Sequence, residues 1–302
     1  MPHLHKALTL VAILKDMTIK QKKIFYIAIC LLSFLLTAIN FFTNYVDKKL
    51  ISNVVPKIFY VGFFETKNLY FLIHLIVILP ILALSFDKKV HFISNYRHLL
   101  KGLLYVAIFF IIWDSLKTFT NVWTFNKNYI VDIFIGNLPV EEYIFFVTIP
   151  IACVFIHQCI SSYSILKING NDDLLINFLI LILLFLGIYF WTLLYTSTVC
   201  LITASVLCFH YVYGDTSVRI KTYYTYLFSL IPFILINGIL TGGFTNSPII
   251  SYNEGEFLKI RLFSIPIEDA VYLFPLLLGN ISFYELHKRR TTANMGFCAS
   301  RA

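Results

Sequence analysis

The sequence has few charged side chains for its length. Only 13% of its 302 residues are Asp, Glu, Lys or Arg, whereas soluble domains carry roughly 25%. Hydrophobic residues make up 59% of the chain, and stretches such as residues 174–191 contain no charged side chain. This composition excludes a water-soluble globule and a disordered chain, and it predicts a protein that crosses a membrane several times.

The sequence also lacks the usual motifs for disulfides, metals and nucleotides. The six cysteines form no C-x-x-C pair and no histidines have zinc spacing, so neither a disulfide framework nor a metal centre is predicted. None of the 12 glycines stands in a G-x-G arrangement, which excludes the dinucleotide fingerprint and the phosphate loop. We therefore expect no cofactor and no bound metal. The net charge of +8 does not require nucleic acid, because Lys and Arg of membrane proteins collect in cytoplasmic loops.

Eight apolar stretches approach the roughly 17 to 25 residues that a membrane-spanning helix needs. If the amino terminus is cytoplasmic, about two thirds of the 24 Lys and Arg side chains fall in the predicted inside segments, as the positive-inside rule requires. We therefore expect an integral membrane protein with a cytoplasmic amino terminus. The membrane is expected to be a prokaryotic cell membrane. The predicted spans run approximately over residues 24–43, 69–86, 98–113, 142–160, 174–191, 196–213, 223–240 and 267–286.

The chain contains an internal repeat. A shift of 127 residues aligns residues 124–126 with 251–253 and residues 138–142 with 265–269, without a gap. The same shift carries the second to fourth predicted helices onto the sixth to eighth, which leaves the fifth as a linker. Because the offset is an even number of helices, both repeats enter the membrane in the same sense. We predict an all-α bundle of about eight transmembrane helices, with two parallel three-helix repeats related by an axis along the membrane normal.

This interpretation divides the chain into five segments. Residues 1–16 are expected to be a poorly ordered extension, with Met17 as an alternative start, and the last residues a loose tail. The predicted segments are an amino-terminal extension with one extra span (1–67), the first repeat (68–165), the linker helix (166–192), the second repeat (193–290) and a polar tail (291–302).

Each repeat carries a Pro-x-acid-acid motif at the start of a helix. Residues 139–142 read Pro-Val-Glu-Glu and residues 266–269 read Pro-Ile-Glu-Asp. Acids in a first helical turn stabilise the helix dipole by roughly 0.3 to 1 kcal/mol, which is the structural interpretation. We favour a functional one, because the motif occurs twice, has two acids in each copy and leads into an apolar run where carboxyl groups are costly.

Aromatic side chains follow these acids by one helical turn. Apolar surroundings penalise the charged form of a carboxyl group, so such an acid can donate a proton at neutral pH. A second carboxyl group next to it favours the sharing of one proton between the two. Aromatic faces stabilise a cation by on the order of 1 to 2 kcal/mol where water is excluded. The pattern therefore indicates carbocation chemistry on an apolar substrate. The pairs are Glu141 with Phe145, Glu142 with Phe146, and Glu268 with Tyr272.

Other polar residues within apolar runs have competing interpretations. Asp114, which follows Trp113, is either an interfacial residue or part of the site. Asn237 is interpreted as a helix-packing residue, and residues 171–173 as a solvated acidic loop. Single histidines in apolar runs are expected to be structural and hydrogen-bonded; they are His74, His157 and His210.

Together these residues resemble the membrane-integral, non-flavin lycopene cyclases, which occur as two small subunits or as one fused chain. The resemblance covers roughly residues 67–286 and includes both Pro-x-acid-acid motifs, Trp113-Asp114 and Tyr252-Asn253. Residues 1–66 have no counterpart. The resemblance implies cofactor-independent cyclisation of the acyclic ends of lycopene to β-rings, an isomerisation of the intramolecular-lyase class. The implied partners are a carotenoid substrate within the bilayer, membrane lipids and other enzymes of carotenoid biosynthesis.

The resemblance also implies a division of roles. A buried acid protonates lycopene at C2, the C5=C6 bond attacks the cation at C1, and a carboxylate removes a proton from C6. Glu141 and Glu268 are the first choice for the proton-handling residues, with Glu142 and Asp269 tuning them or acting as partner base, and replacing Glu141 or Glu268 by Gln is expected to stop cyclisation. Residues expected to line the substrate or its cation are Asp114, Trp113, Phe145, Phe146, Tyr252 and Tyr272.

Two alternatives remain open from the sequence. The chain could cyclise another carotenoid end group, with a different ring double bond or an elongated substrate. It could also be a proton-coupled transporter, which parallel repeats and intramembrane acids allow, although it lacks Gly/Pro-rich interrupted helices. A prenyltransferase is disfavoured, because two aspartate-rich magnesium motifs are missing.

Overall fold

The computed structural model describes residues 17–44, 57–163 and 170–299, with the side chains of 292–299 left out. The predicted extension at residues 1–16 lies outside the described residues. Within them the fold is mainly helical, which confirms that part of the fold prediction. The α-helices are α1 Ile19–Asn44, α2 Leu69–Leu84, α3 Phe92–Phe119, α4 Val140–Ser162, α5 Asp173–Tyr189, α6 Leu194–Tyr213, α7 Thr216–Leu240 and α8 Ile267–Ala299. The strands are β1 Trp123–Phe125, β2 Phe134–Ile135, β3 Leu138–Pro139, β4 Ile250–Tyr252, β5 Arg261–Leu262 and β6 Ile265–Pro266.

Five of the described helices are long and apolar enough to cross a membrane: α1, α3, α4, α6 and α7. The helices α2 and α5 are apolar but shorter. Helix α8 is long but less apolar than these helices, because it contains polar side chains such as Glu268, Asp269 and Asn280. This pattern agrees with a membrane protein and with the predicted positions of the helices.

The most buried of these helices is α6, which packs against α1, α5 and α8. The leading helix α1, which the predicted repeats do not include, lies directly on it. Asn40 of α1 donates a hydrogen bond from Nδ2 to the Trp191 carbonyl oxygen at 2.7 Å, just before α6 begins. The leading helix is thus packed on the outside of α6 and fixed there by this hydrogen bond.

The same order of elements occurs twice along the chain. Helices α2 and α3, strands β1 to β3 and helix α4 are matched by α6 and α7, β4 to β6 and α8. Strands β1 and β4 pair with each other in antiparallel fashion, with Thr124 opposite Ser251. These two residues are the ones that the 127-residue shift aligns, so the two repeats meet at equivalent positions.

The loop before each acidic motif has the same backbone in both repeats. Asp132 and Lys259 both adopt a left-handed conformation, with φ of 64° and 62°. At the hairpin turns, Gly136 has φ of 64°, and its counterpart Phe263 has φ of 57° although it carries a side chain. A bulky residue in this region costs of order 1 kcal/mol or more, so the surrounding structure must hold the second turn in place.

The short strands were not expected in an all-α fold. The hairpins β2–β3 and β5–β6 each contain only two residues per strand, too few for an alternating hydrophobic pattern. Pro139 is the last residue of β3 and the cap residue before α4. Its ψ of 152° is that of an extended strand and not of a helix. At the carboxyl end, α8 continues beyond residue 286, where the apolar run stops, to Ala299.

Candidate active site

An apolar cavity runs between helices α2, α4 and α7, and its head is closed by strands β1 and β4 and the starts of α4, α6 and α8. The empty space between its lining residues, with the open space at the mouth included, is about 940 Å³. The charged side chains of the lining are all acids, and none of the described lining residues is Lys, Arg or His. The acids are Asp114, Glu142 and Asp269.

The first acid of each motif does not line this cavity and instead binds the loop before it. Glu141 Oε1 accepts a hydrogen bond from the Val131 backbone N–H at 2.6 Å. In the second repeat, Glu268 Oε1 accepts from the Leu258 N–H at 2.9 Å and from the Thr196 hydroxyl at 2.6 Å. Both carboxyl groups are buried, and their other oxygens have no hydrogen-bond partner among the described residues.

The second acid of the first motif, Glu142, lies at the head of the cavity. Its Oε1 accepts a hydrogen bond from the Tyr70 hydroxyl at 2.6 Å. The carboxyl group of Asp114, on α3, lies against that of Glu142 within hydrogen-bonding contact. Asp114 is only 3% exposed, so its surroundings favour the interpretation as part of the site.

The second acid of the second motif, Asp269, is surrounded by hydrogen-bond donors. Oδ1 accepts from the Tyr195 hydroxyl at 2.6 Å. Oδ2 accepts from the Tyr252 hydroxyl at 2.8 Å and from Asn237 Nδ2 at 2.7 Å. Asn237 therefore contacts a cavity acid directly, a role beyond the helix packing that the sequence suggested.

Tyr252 is on strand β4, outside the helices, and its side chain is buried. Burial raises the pKa of Tyr252 well above its ordinary value, and the neighbouring Asp269 carboxyl adds to this rise. The phenol therefore keeps its proton and acts as a hydrogen-bond donor to Asp269.

Tyr70 and Tyr195 are equivalent residues that sequence reasoning missed. Each is the second residue of the first helix in its repeat, and each donates to the second acid of its own motif. Their backbone N–H groups also bind equivalent loop positions, the carbonyl oxygens of Tyr129 at 3.0 Å and of Glu256 at 2.9 Å. The two tyrosines are 125 residues apart, so a shift of 127 residues misses their equivalence.

Aromatic rings form one wall of the site. The Tyr272 ring centroid lies 5.2 Å from that of Phe110 and 4.8 Å from that of Trp113. Phe145, Phe146 and Tyr272 line the cavity, whereas Trp113 supports Tyr272 from behind. Trp123, which the sequence did not single out, lies in the lining and contacts the Tyr195 ring at 5.2 Å.

Most of the expected site residues are therefore brought together at one place. Those that line the cavity are Asp114, Glu142, Phe145, Phe146, Tyr252, Asp269 and Tyr272, and those that do not are Trp113, Glu141 and Glu268.

The polar residues expected to be structural fall into two groups. The three histidines are hydrogen-bonded as expected: His74 to Thr148, His157 to Thr225 and Glu285, and His210 to Arg219. The expectation of a solvated acidic loop at residues 171–173 is wrong for Asp172. Asp172 is 6% exposed and forms an ion pair with Arg219, a partner 47 residues away along the chain that no local pattern reveals.

A mainly helical, apolar bundle with buried acids at the head of an apolar cavity has the groups that proton transfer to an apolar molecule would need. The family model described as lycopene cyclase matches residues 67–160 and 192–287, more than half of the chain. The chain therefore belongs to the lycopene cyclase family, and it is an enzyme of carotenoid biosynthesis, a cyclase with a carotenoid substrate. The two matched stretches contain the two repeats, whereas α1 and α5 lie outside them. Searches for similar curated proteins and for similar solved structures find no match.

Proposed function

We propose that this protein cyclises the acyclic ends of lycopene to β-rings within the membrane, without a cofactor. The observation that carries the proposal is that Asp114, Glu142 and Asp269 converge on the head of one apolar, aromatic-lined cavity. In the reaction, a proton adds to C2 and leaves the cation at C1. The C1–C6 bond forms as the C5=C6 electrons attack C1, and loss of the C6 proton restores a C5=C6 double bond. Atoms and electrons balance without an oxidant or reductant, so the reaction is an isomerisation.

We assign the contact with substrate to the second acid of each motif. Glu142 and Asp269 line the cavity, whereas Glu141 and Glu268 bind loop backbone N–H groups. This reverses the division of roles that the sequence suggested, in which the first acids handle protons. The first acids then serve to fix the loops that carry the helix starts.

The cavity also suggests how the polyene lies. On α4 its lining extends from Glu142 to Ile156, which corresponds to about 20 Å along a helix with a rise of 1.5 Å per residue. An end group at the acids would leave the conjugated chain lying along α4 and α7 beside apolar side chains such as Ala152 and Phe233. We further propose that all eight helices cross the bilayer, with the acids near the outer side.

Expression of the chain in a host that accumulates lycopene tests the proposal. We expect β-carotene or the one-ring intermediate to form, identified by chromatography and mass spectrometry against standards. Asp132→Asn, at a loop side chain 49% exposed, should behave as the unmodified chain. Unchanged lycopene with full membrane insertion would refute the proposed substrate, and rings with another double-bond position would refute the β-product.

The reversed roles predict that Glu268→Gln and Glu268→Ala behave differently. Gln keeps an oxygen that accepts the Leu258 N–H and the Thr196 hydroxyl, so cyclisation should stay within a few-fold of the unmodified enzyme. Ala leaves the buried Thr196 hydroxyl and the half-buried Leu258 N–H without an acceptor, which costs about 1 to 3 kcal/mol of stability. Thermal unfolding in mild detergent and product formation per amount of inserted protein measure the two effects. A stable Glu268→Gln protein with cyclisation reduced 100-fold or more would return the proton-handling role to Glu268.

A further inference from the structure

We propose that the Asp114–Glu142 pair is the proton donor of the reaction and that Asp269 is the proton acceptor. The assignment rests on the proposed cyclase function and deepens it. It is based on the different hydrogen-bond partners that the two repeats give to acids at equivalent positions.

The pair of acids in the first repeat needs a proton. Two carboxylates cannot hydrogen-bond to each other unless one of them is protonated, because each offers only acceptors. The carboxyl groups of Asp114 and Glu142 are in such contact, and the described lining offers no cation to neutralise them. Asp114 Oδ2 has no donor among the described residues, and the Trp123 indole N–H is a neutral donor to the same carboxyl group. Two carboxyl groups in contact favour one shared proton, because like charges repel each other, so the pair holds a proton ready for the substrate.

The acid in the second repeat has the opposite surroundings. Both oxygens of Asp269 accept hydrogen bonds, from the hydroxyls of Tyr195 and Tyr252 and from the side-chain amide of Asn237. Hydrogen bonds donated to a carboxylate stabilise its charged form. A protonated Asp269 would accept these hydrogen bonds more weakly than a carboxylate does, so this site favours a carboxylate that can receive a proton.

The difference comes from the other residues that contact each acid, among which Tyr252 on β4 donates a hydrogen bond to Asp269 only. Tyr70 and Tyr195 give Glu142 and Asp269 the same first partner. The neighbouring helix then supplies a carboxyl group from α3 in the first repeat and an amide from α7 in the second. An amide can donate to a carboxylate but cannot release a proton, so two near-identical motifs acquire opposite roles.

The Asp114–Glu142 pair and Asp269 line the same cavity. This is required if one end group of lycopene receives a proton from the pair and loses another proton to Asp269. The Tyr272 side chain lines the same cavity as Asp114, Glu142 and Asp269, and it interacts electrostatically with all three carboxyl groups. During turnover the pair gives its proton to C2, and Asp269 takes the proton from C6. The enzyme is reset when one proton leaves Asp269 and one returns to the pair, so no proton is consumed overall.

Product analysis of matched variants distinguishes donor from acceptor. Membranes that contain Glu142→Gln or Asp269→Asn are incubated with lycopene, and all carotenoids are identified. Glu142→Gln should reduce every ring product at least 100-fold without a new one, because no cation forms. Asp269→Asn should still form the cation but release it differently, giving rings with the double bond elsewhere or a hydroxylated product from water capture. Asp269→Glu, which restores a carboxylate, should restore the product distribution of the unmodified enzyme.

Three results overturn the assignment. They are redistributed products in Glu142→Gln, an unchanged product distribution in Asp269→Asn, and loss of all products in both Asp269 variants while both are inserted and folded. A simple structural role for Asp269 would lower the amount of product without altering the ring isomers. Failure of the underlying function is distinct, because the unmodified chain would then form no ring from lycopene at all.

Discussion

Replacing Arg219 by Met is expected to lower the free energy of unfolding by about 3 to 5 kcal/mol. The Arg219 guanidinium donates to both carboxylate oxygens of Asp172 at 2.6 Å, and the two residues are 1% and 6% exposed. Without Arg219 the Asp172 charge stays buried, with the Tyr223 hydroxyl at 3.0 Å as a remaining donor. Unfolding in mild detergent, followed by circular dichroism during titration with a denaturing detergent, measures the loss.

A second ion pair of this protein provides the matched control. The side chains of Arg289 and Asp215 form an ion pair but are 52% and 42% exposed, so Arg289→Met should cost less than about 1 kcal/mol. Combining Arg219→Met with Asp172→Leu should recover much of the stability, because no uncompensated charge is then buried. Similar losses in Arg219→Met and Arg289→Met would contradict the view that burial sets the strength of the first pair.

This ion pair also explains how the linker helix is held. Asp172 is the residue before α5, and Arg219 belongs to the first turn of α7. The family match leaves out α5, yet the buried pair connects its start to the second repeat. A sequence pattern that indicates only a polar loop cannot show this connection.

Helix positions were accessible to sequence reasoning because the apolar runs are long. The helices α2, α5 and α6 lie close to the predicted spans, whereas α3 is longer at both ends than residues 98–113. Polar side chains at its ends, such as Lys117, are buried and bound: Lys117 Nζ donates to the Leu194 carbonyl oxygen at 2.9 Å. Hydropathy cannot detect a helix end that tertiary hydrogen bonds stabilise.

The acids of the site were predictable, but their roles were not. Duplication of the Pro-x-acid-acid motif pointed to four carboxyl groups at once. Neither spacing nor composition indicates that Glu141 turns toward Val131 while Glu142 turns toward the cavity. The partner tyrosines were missed because the starts of the first helices of the two repeats align at a shift of 125 residues, whereas the motifs align at a shift of 127 residues. A comparison of the repeats helix by helix would have aligned Tyr70 with Tyr195.

Asp114 and Glu142 are expected to act as one unit in catalysis. Asp114→Asn and Glu142→Gln should each reduce the rate of cyclisation by about 100- to 10,000-fold, the usual contribution of general acid catalysis. The double variant should be little worse than either single one, because each substitution alone removes the shared proton or its partner. Initial rates of ring formation per amount of inserted enzyme measure this, with Asp132→Asn as a control that leaves the rate unchanged. If the losses of the two single variants multiply in the double variant, the two carboxyl groups work independently and do not share a proton.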